Sequence, residues 1–116
     1  MKSLVQTIVI FNLLLFSSYA YSITQYCGGT ITNYYLDAAG FIYVYGTWRN
    51  DYTAVCNVNS SWQSISTEVC KGWQAIIEEA HVTRKSVLLR YLDAPACDAL
   101  PTYTGAPQLD YILVNQ

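Results

Sequence analysis

The segment STEVCKGWQAIIEEAH, residues 66–81, decides the fold because it holds the clearest helical pattern in the chain. Its apolar side chains recur at the spacing of one buried helical stripe, which consists of Val69, Cys70, Trp73, Ile76, Ile77 and Ala80. Ser66 is placed to act as the N-cap, and Glu68 puts a negative charge in the first turn, where it stabilises the helix dipole. The pattern therefore predicts one amphipathic helix over residues 66–81.

Segments rich in β-branched and aromatic residues flank this helix, three before it and two after it. The predicted strands are 30–36, 41–45, 52–58, 86–92 and 110–114. Between the first two, the sequence Asp37-Ala38-Ala39-Gly40 ends in a glycine that suits a hairpin turn. The order β-β-β-α-β-β predicts a small, mostly β domain of the α+β class. Two architectures fit it: a five-stranded antiparallel sheet with the helix packed across it, or an OB-like barrel.

The first twenty residues have the organisation of a secretory signal peptide. Lys2 precedes an apolar run over 8–16 that only Asn12 interrupts, and Ser18 and Ala20 place small residues before a cleavage site. A membrane anchor is the competing interpretation, but a span needs about 20 apolar residues and this run is too short. We therefore expect residues 1–20 to be removed on export, and residues 21–116 to form one domain without a membrane span.

The charge of the chain argues against several partners. The formal net charge is −2 and the pI is about 5.0, so the chain lacks the basic footprint of nucleic-acid-binding proteins. Together with the leader, this composition predicts a secreted or periplasmic protein that has no nucleic-acid partner.

The four cysteines all follow the predicted leader, and an even number in an oxidising compartment predicts two disulfides. Zinc sites usually draw cysteines that are two to four residues apart, a spacing that this chain lacks. Among the three possible pairings we favour Cys56–Cys70, because a short turn separates the strand of Cys56 from the helix of Cys70. The second bridge is then Cys27–Cys97. Such bridges stabilise a domain too small to bury a large core.

One part of the chain resembles a known family. The resemblance consists of Ala54-Val55-Cys56-Asn57, a Ser-Trp turn, one amphipathic helix and the pattern Lys85-x-Val87-x-Leu89-x-Tyr91. In order and spacing, this segment is similar to the second half of the pentameric receptor-binding subunits of pertussis-like and subtilase-type bacterial toxins. The resemblance covers residues 54–92. It implies an oligomer-binding (OB) barrel, a ring of five copies and recognition of cell-surface glycans.

The same resemblance bears on a sugar site. In that family a Tyr-Tyr-Ser stretch contributes to sugar binding, and residues 33–37 of this chain read Asn-Tyr-Tyr-Leu-Asp. Only Tyr34 and Tyr35 are carried across, because Leu36 stands where the sugar-contacting serine is expected. The positions of Cys27 and Cys97 also differ from the family's usual cysteine pattern.

The search for a catalytic site is mostly negative. His81 is the only histidine, and its place at a helix end suits a partner of the last carbonyls or the helix dipole. Asp93, Asp98 and Asp110 flank a proline-rich loop, where a carboxylate pair suits glycoside hydrolysis, but their spacing does not favour it. We expect no enzyme activity, no cofactor and no bound metal, and a small hydrolase is the least favoured reading.

Aromatic residues carry the remaining signal, because tyrosine and tryptophan suit both sugar stacking and protein interfaces. Trp73 and Tyr91 are predicted to lie in the core. The candidates for an exposed ligand-binding surface are Tyr34, Tyr35, Tyr43, Tyr45, Trp48 and Trp62. The sequence thus predicts an exported binding module for a glycan or a protein, with homo-oligomer formation as an option. The alternative is a small secreted or periplasmic structural or inhibitor-like protein.

Overall fold

The computed structural model describes residues 23–115, and the predicted signal peptide lies outside them. The elements are β1 (Gln25–Leu36), β2 (Phe41–Gly46), β3 (Tyr52–Asn57), α1 (Thr67–Thr83), β4 (Ser86–Tyr91) and β5 (Leu109–Val114), with a short 3₁₀ helix (Cys97–Ala99) before β5. All strand pairs are antiparallel. The five strands, the single helix and the mostly β class predicted from the sequence are confirmed.

The strands form one sheet in the spatial order β3-β2-β1-β4-β5, which differs from their order along the chain. Strand β1 is central because its first part pairs with β4 and its second part with β2. A bulge between Ile31 and Asn33 separates the two parts, and such a bulge bends a strand and increases its twist. The first part escaped prediction because Gly28 and Gly29 lower its strand propensity.

The far edge of the sheet is covered by the segment that leads into β5. Tyr103 forms a parallel bridge with Thr53 of β3. Its N–H donates to the carbonyl of Tyr52 at 2.8 Å, and its carbonyl accepts from the N–H of Ala54 at 3.0 Å. This bridge pairs part of the backbone at the β3 edge, although β3 and β5 remain the two edge strands of the sheet.

Helix α1 begins as the sequence predicts. The Ser66 hydroxyl accepts a hydrogen bond from the N–H of Val69 at 3.2 Å, and Cys70, Trp73, Ile77 and Ala80 are buried. The predicted stripe is wrong at Val69, which is 45% exposed because it lies at the edge of the buried face. The helix continues to Thr83, beyond the predicted end, and stops at Arg84 in the left-handed conformation with φ 55°.

The core lies between α1 and one face of the sheet. Trp73 and Tyr91 are buried in it, as predicted. Both predicted disulfides are confirmed: Cys56–Cys70 joins β3 to α1, and Cys27–Cys97 joins β1 to the 3₁₀ helix. Within residues 23–115, none of the helices has the length and apolar character that a membrane crossing requires.

Candidate functional site

The face of the sheet opposite the core is aromatic over β1 to β3. Successive side chains of a strand point to opposite faces, so the buried Ile42 and Val44 of β2 face the core. Phe41, Tyr43 and Tyr45 consequently point to the other face.

Four tyrosines on this outer face form a closed ring of contacts. The rings of Tyr35 and Tyr43 stack with centroids 4.8 Å apart, and Tyr43 meets Tyr103 at 5.8 Å. Tyr103 lies 6.3 Å from Tyr52, which in turn meets Tyr35 edge-on at 5.0 Å. These separations fall in the range of favourable aromatic pairs. We call Tyr35, Tyr43, Tyr52 and Tyr103 the tyrosine quartet.

Further aromatic rings extend the quartet at both ends. Tyr45 meets Tyr52 at 5.1 Å on one side. On the other side Phe41 lies 6.1 Å from Tyr43, and Trp62 packs edge-on against Phe41 at 5.4 Å. We call the whole surface the aromatic face; it consists of Tyr35, Phe41, Tyr43, Tyr45, Tyr52, Trp62 and Tyr103.

Within the quartet, one ring is buried beneath two exposed rings. Tyr43 is only 6% exposed, so the expectation that it is an exposed residue is wrong: its neighbours Tyr35 and Tyr103 cover it. Tyr35 and Tyr103 are 38% and 47% exposed. They offer ring surface to a ligand, while Tyr43 holds them in position from below.

Tyr103 adopts a backbone conformation that is uncommon for a bulky residue. Its φ is 51°, in the left-handed region that non-glycine residues rarely occupy. The two hydrogen bonds to β3 described above fix this conformation. The side-chain N–H₂ of Gln63 also donates to the carbonyl of Ala106 at 2.8 Å, which ties the Trp62 segment to the Tyr103 segment. Strain held in this way is frequent at binding sites.

The carboxylate of Asp37 borders the quartet at the β1–β2 turn. Asp37 is fixed by its backbone and its side chain, since its N–H donates to the carbonyl of Phe41 at 3.0 Å and its Oδ1 accepts from the N–H of Phe41 at 2.9 Å. The turn closes on Gly40, whose φ of 97° favours glycine.

Asp37 acts on the phenols beside it. Burial raises the pKa of Tyr43, and the hydrogen bond to Asp37 and the charge of Asp37 raise this pKa further. The pKa of Tyr35 is raised by desolvation first, then by the charges of Tyr103 and Asp37. Both phenols are therefore neutral at pH 7, and the carboxylate supplies negative charge at this end of the face.

The basic residues of the described chain lie elsewhere. Lys71 lies on α1, and Arg84 and Lys85 follow it. Arg90 forms an ion pair with Asp110. Arg49 lies in the β2–β3 turn, at the opposite end of β2 from Asp37, and its Nε donates to the carbonyl of Leu100 at 2.8 Å.

The structure brings together four of the six predicted binding residues: Tyr35, Tyr43, Tyr45 and Trp62. Tyr34 faces the helix side, where its ring meets His81 at 5.3 Å. Trp48 packs against the core from the β2–β3 turn.

Phe41, Tyr52 and Tyr103 were not among the predicted binding residues. The alternation of β2 does place Phe41 on the same face as Tyr43 and Tyr45. No sequence signal placed Tyr103, since it lies outside any regular strand. His81 lies in the last turn of α1, where a partner of the helix dipole is expected, but its Nδ1 lies 3.2 Å from the carbonyl oxygen of Ile31 in β1 rather than at the helix carbonyls.

Polar side chains also gather at two other places. The Asp93 carboxylate accepts a hydrogen bond from the N–H of Ile23 at 3.2 Å, and Asp110 pairs with Arg90. A cavity of about 390 Å³ at the end of α1, bordered by His81 and Arg84 among others, shares no residue with the aromatic face. Among residues 23–115, no cluster of potential metal ligands occurs.

The chain matches no protein-family model, and no curated protein or solved structure is significantly similar to it. The geometry and chemistry of the aromatic face are therefore the basis for inferring a function.

Proposed function

We propose that this protein is an exported binding module, not an enzyme, and that it holds a carbohydrate chain on the aromatic face. The observation that carries the proposal is the tyrosine quartet, in which two exposed rings are held by a buried one. Tyrosine rings offer an apolar plate for the C–H face of a sugar and a hydroxyl group for its polar edge.

The position of the face in the fold supports this proposal by analogy. In OB barrels, oligosaccharides and oligonucleotides bind on the face of strands 2 and 3 and on the loops that join strands 1–2 and 4–5. Here the corresponding elements are β2 and β3, the turn with Asp37 and the segment with Tyr103. The resemblance of residues 54–92 to glycan-binding toxin subunits leads to the same ligand class.

Charge favours a sugar over a nucleic acid on this surface. Binding to a phosphate backbone depends on lysine and arginine side chains, whereas the quartet is bordered by Asp37. The two disulfides are typical of proteins from oxidising compartments, which supports export. A ring of several copies would present several such faces to one glycosylated surface, and the mass of the native protein tests that part of the proposal.

The proposal is tested by binding of the purified, oxidised protein to a glycan array. Tyr35→Ala should lower binding about 5- to 150-fold, because stacking of one base on an aromatic ring contributes on the order of 1–3 kcal/mol and we expect a sugar ring to contribute in the same range. Tyr111→Ala is the matched control, since Tyr111 is equally exposed, at 38%, but packs near Arg90 on β5.

Two results would overturn the carbohydrate proposal. One is an array on which the wild-type protein binds no glycan. The other is equal loss of binding in the Tyr35 and Tyr111 variants. If the array is blank and a pull-down returns one stoichiometric protein partner, the aromatic face is a protein interface and the inhibitor-like alternative stands.

A further inference from the structure

We infer that Asp37 selects the ligand of the aromatic face, so that the site takes neutral oligosaccharides and rejects those that carry sulfate or carboxylate groups. This inference rests on the carbohydrate-binding function proposed above and names the substrate class of that same site. It follows from the placement of one fixed charge beside the quartet, and from the distance of the basic residues from it.

Asp37 is a rigid acceptor. Its Oδ1 accepts a hydrogen bond from the N–H of Phe41, and its own N–H donates to the carbonyl of Phe41. These two bonds anchor Asp37 at the start of β2. A carboxylate has two oxygens that accept hydrogen bonds and none that donates. The oxygen that is free of the backbone suits the hydroxyl groups of Tyr43 and of a sugar, both of which donate.

The same carboxylate opposes an anionic ligand. An anion seated on the quartet would lie beside Asp37, whose charge acts on both Tyr35 and Tyr43, and like charges repel each other more strongly where water is partly excluded. The neighbouring phenols do not add charge at pH 7, because the pKa values of Tyr35 and Tyr43 are raised.

Within residues 23–115, no basic side chain offsets this charge at the Asp37 end. Arg49 stands at the other end of β2, which spans Phe41–Gly46 and is therefore about 17 Å long at 3.4 Å per residue. That distance exceeds the Debye length of about 8 Å at physiological ionic strength, so Arg49 gives little compensation.

The face also selects for length. Phe41, Tyr43 and Tyr45 occupy alternate positions of β2, and Trp62 extends the row beyond Phe41. The row is about 13 Å long from Phe41 to Tyr45 at 3.4 Å per residue, which is longer than one sugar ring. An oligosaccharide lying along β2 therefore contacts more rings than a monosaccharide does.

The experiment compares a neutral oligosaccharide from the array with the same oligosaccharide bearing one sulfate, by calorimetry at physiological salt. The wild-type protein should prefer the neutral form by about tenfold or more. Asp37→Asn keeps an oxygen for the N–H of Phe41 but loses the charge, so the preference should fall to within about threefold.

Asp93→Asn is the matched control. Asp93 also accepts a backbone N–H, that of Ile23 at 3.2 Å, but it follows β4 and lies outside the aromatic face. This variant has the same net charge as Asp37→Asn and should keep the wild-type preference.

The outcomes separate the two proposals. If no oligosaccharide binds, the proposed function fails and this inference fails with it. If the neutral and sulfated forms bind equally well, or if Asp37→Asn keeps the full preference, carbohydrate binding stands and the role of Asp37 is wrong. If Asp93→Asn relaxes the preference as much as Asp37→Asn does, net charge and not the site sets the selectivity, which also overturns the inference.

Discussion

The indole ring of Trp48 lies directly over the backbone of Gly46, so that a Cβ atom at position 46 would overlap with the ring. Trp48 thereby packs against the core from the β2–β3 turn. The absence of a side chain at Gly46 lets the turn fold back onto the sheet that it connects.

Gly46→Ala should lower the free energy of unfolding by about 1–3 kcal/mol, because the ring is forced out of its place. Gly72→Ala is the comparison, since nothing lies within 4 Å of a Cβ atom at that helical position. There alanine should stabilise the protein by about 0.5–1 kcal/mol through its higher helix propensity. Urea denaturation measures both; equal effects of the two substitutions would contradict the described packing of Trp48.

The two disulfides should differ in their contribution to stability. Cys27 and Cys97 are separated by 70 residues and Cys56 and Cys70 by 14, and the longer loop restricts the unfolded chain more. Replacing the pair 27/97 by serine should cost about 4–5 kcal/mol, against about 3 kcal/mol for the pair 56/70. Thermal and chemical denaturation of the two double variants measure this difference. The reverse order would show that strain or residual structure outweighs loop entropy.

Tyr91 should make the protein sensitive to alkali. Burial raises the pKa of its phenol to about 12, and the nearby Thr53 hydroxyl opposes part of this rise. In the unfolded chain the phenol ionises near pH 10. Between about pH 10 and 12 the unfolded state therefore holds fewer protons than the folded state, and the free energy of unfolding falls as the pH rises, by about 3 kcal/mol in total.

Tyr91→Phe removes this titration. Urea denaturation measures the free energy of unfolding at pH 9 and at pH 12. Between these two pH values, the free energy of unfolding should fall by about 3 kcal/mol less for the variant than for the wild type. At pH 7 it should be as stable as the wild type or slightly more stable, because the Tyr91 hydroxyl is buried without a hydrogen bond of normal geometry among the described residues. Parallel pH profiles for the two proteins would refute the assignment.

Tyr103 should separate stability from binding. Asparagine occupies the left-handed region readily, so Tyr103→Asn relieves the strain at φ 51° while losing a half-exposed ring. These effects offset each other, and the free energy of unfolding should stay within about 1 kcal/mol of wild type. Binding to the array should still fall by about 5- to 150-fold, the range expected for the loss of one stacking ring. Tyr103→Ala, which keeps the strain, should be the less stable variant; a variant with asparagine that binds like wild type would exclude Tyr103 from the site.

The sequence was informative wherever neighbours along the chain decide the structure. The helix, the strands and the N-cap at Ser66 follow from local periodicity and capping chemistry. The bridge between Cys56 and Cys70 follows from the short turn between their elements. The first part of β1 did not follow, because its order comes from pairing with the distant β4.

The aromatic face was predictable only in part for the same reason. Tyr35, Tyr43 and Tyr45 are strand residues with visible alternation. The bulge in β1 and the crossing of Tyr103 over β3 are long-range features, and they decide which rings meet. Tyr34 and Tyr35 show the limit well: they are adjacent in sequence and similar in chemistry, yet they lie on opposite faces.

The two parts of β1 pair with different strands, and this pairing affects the order in which the chain folds while it is synthesised from the N-terminus. The second part of β1 can pair with β2 as soon as β2 has been made. The first part, which begins at Gln25, can pair only after β4 has been made as far as Tyr91. Contacts between distant residues form slowly because their loops are costly to close. We therefore expect the β1–β2–β3 meander that carries the quartet, and the nearby bridge between Cys56 and Cys70, to form early. Three features should form last: the pairing of the first part of β1, the contact of Tyr103 with β3, and the bridge between Cys27 and Cys97. A newly made molecule therefore completes the aromatic face only when nearly the whole chain has been synthesised.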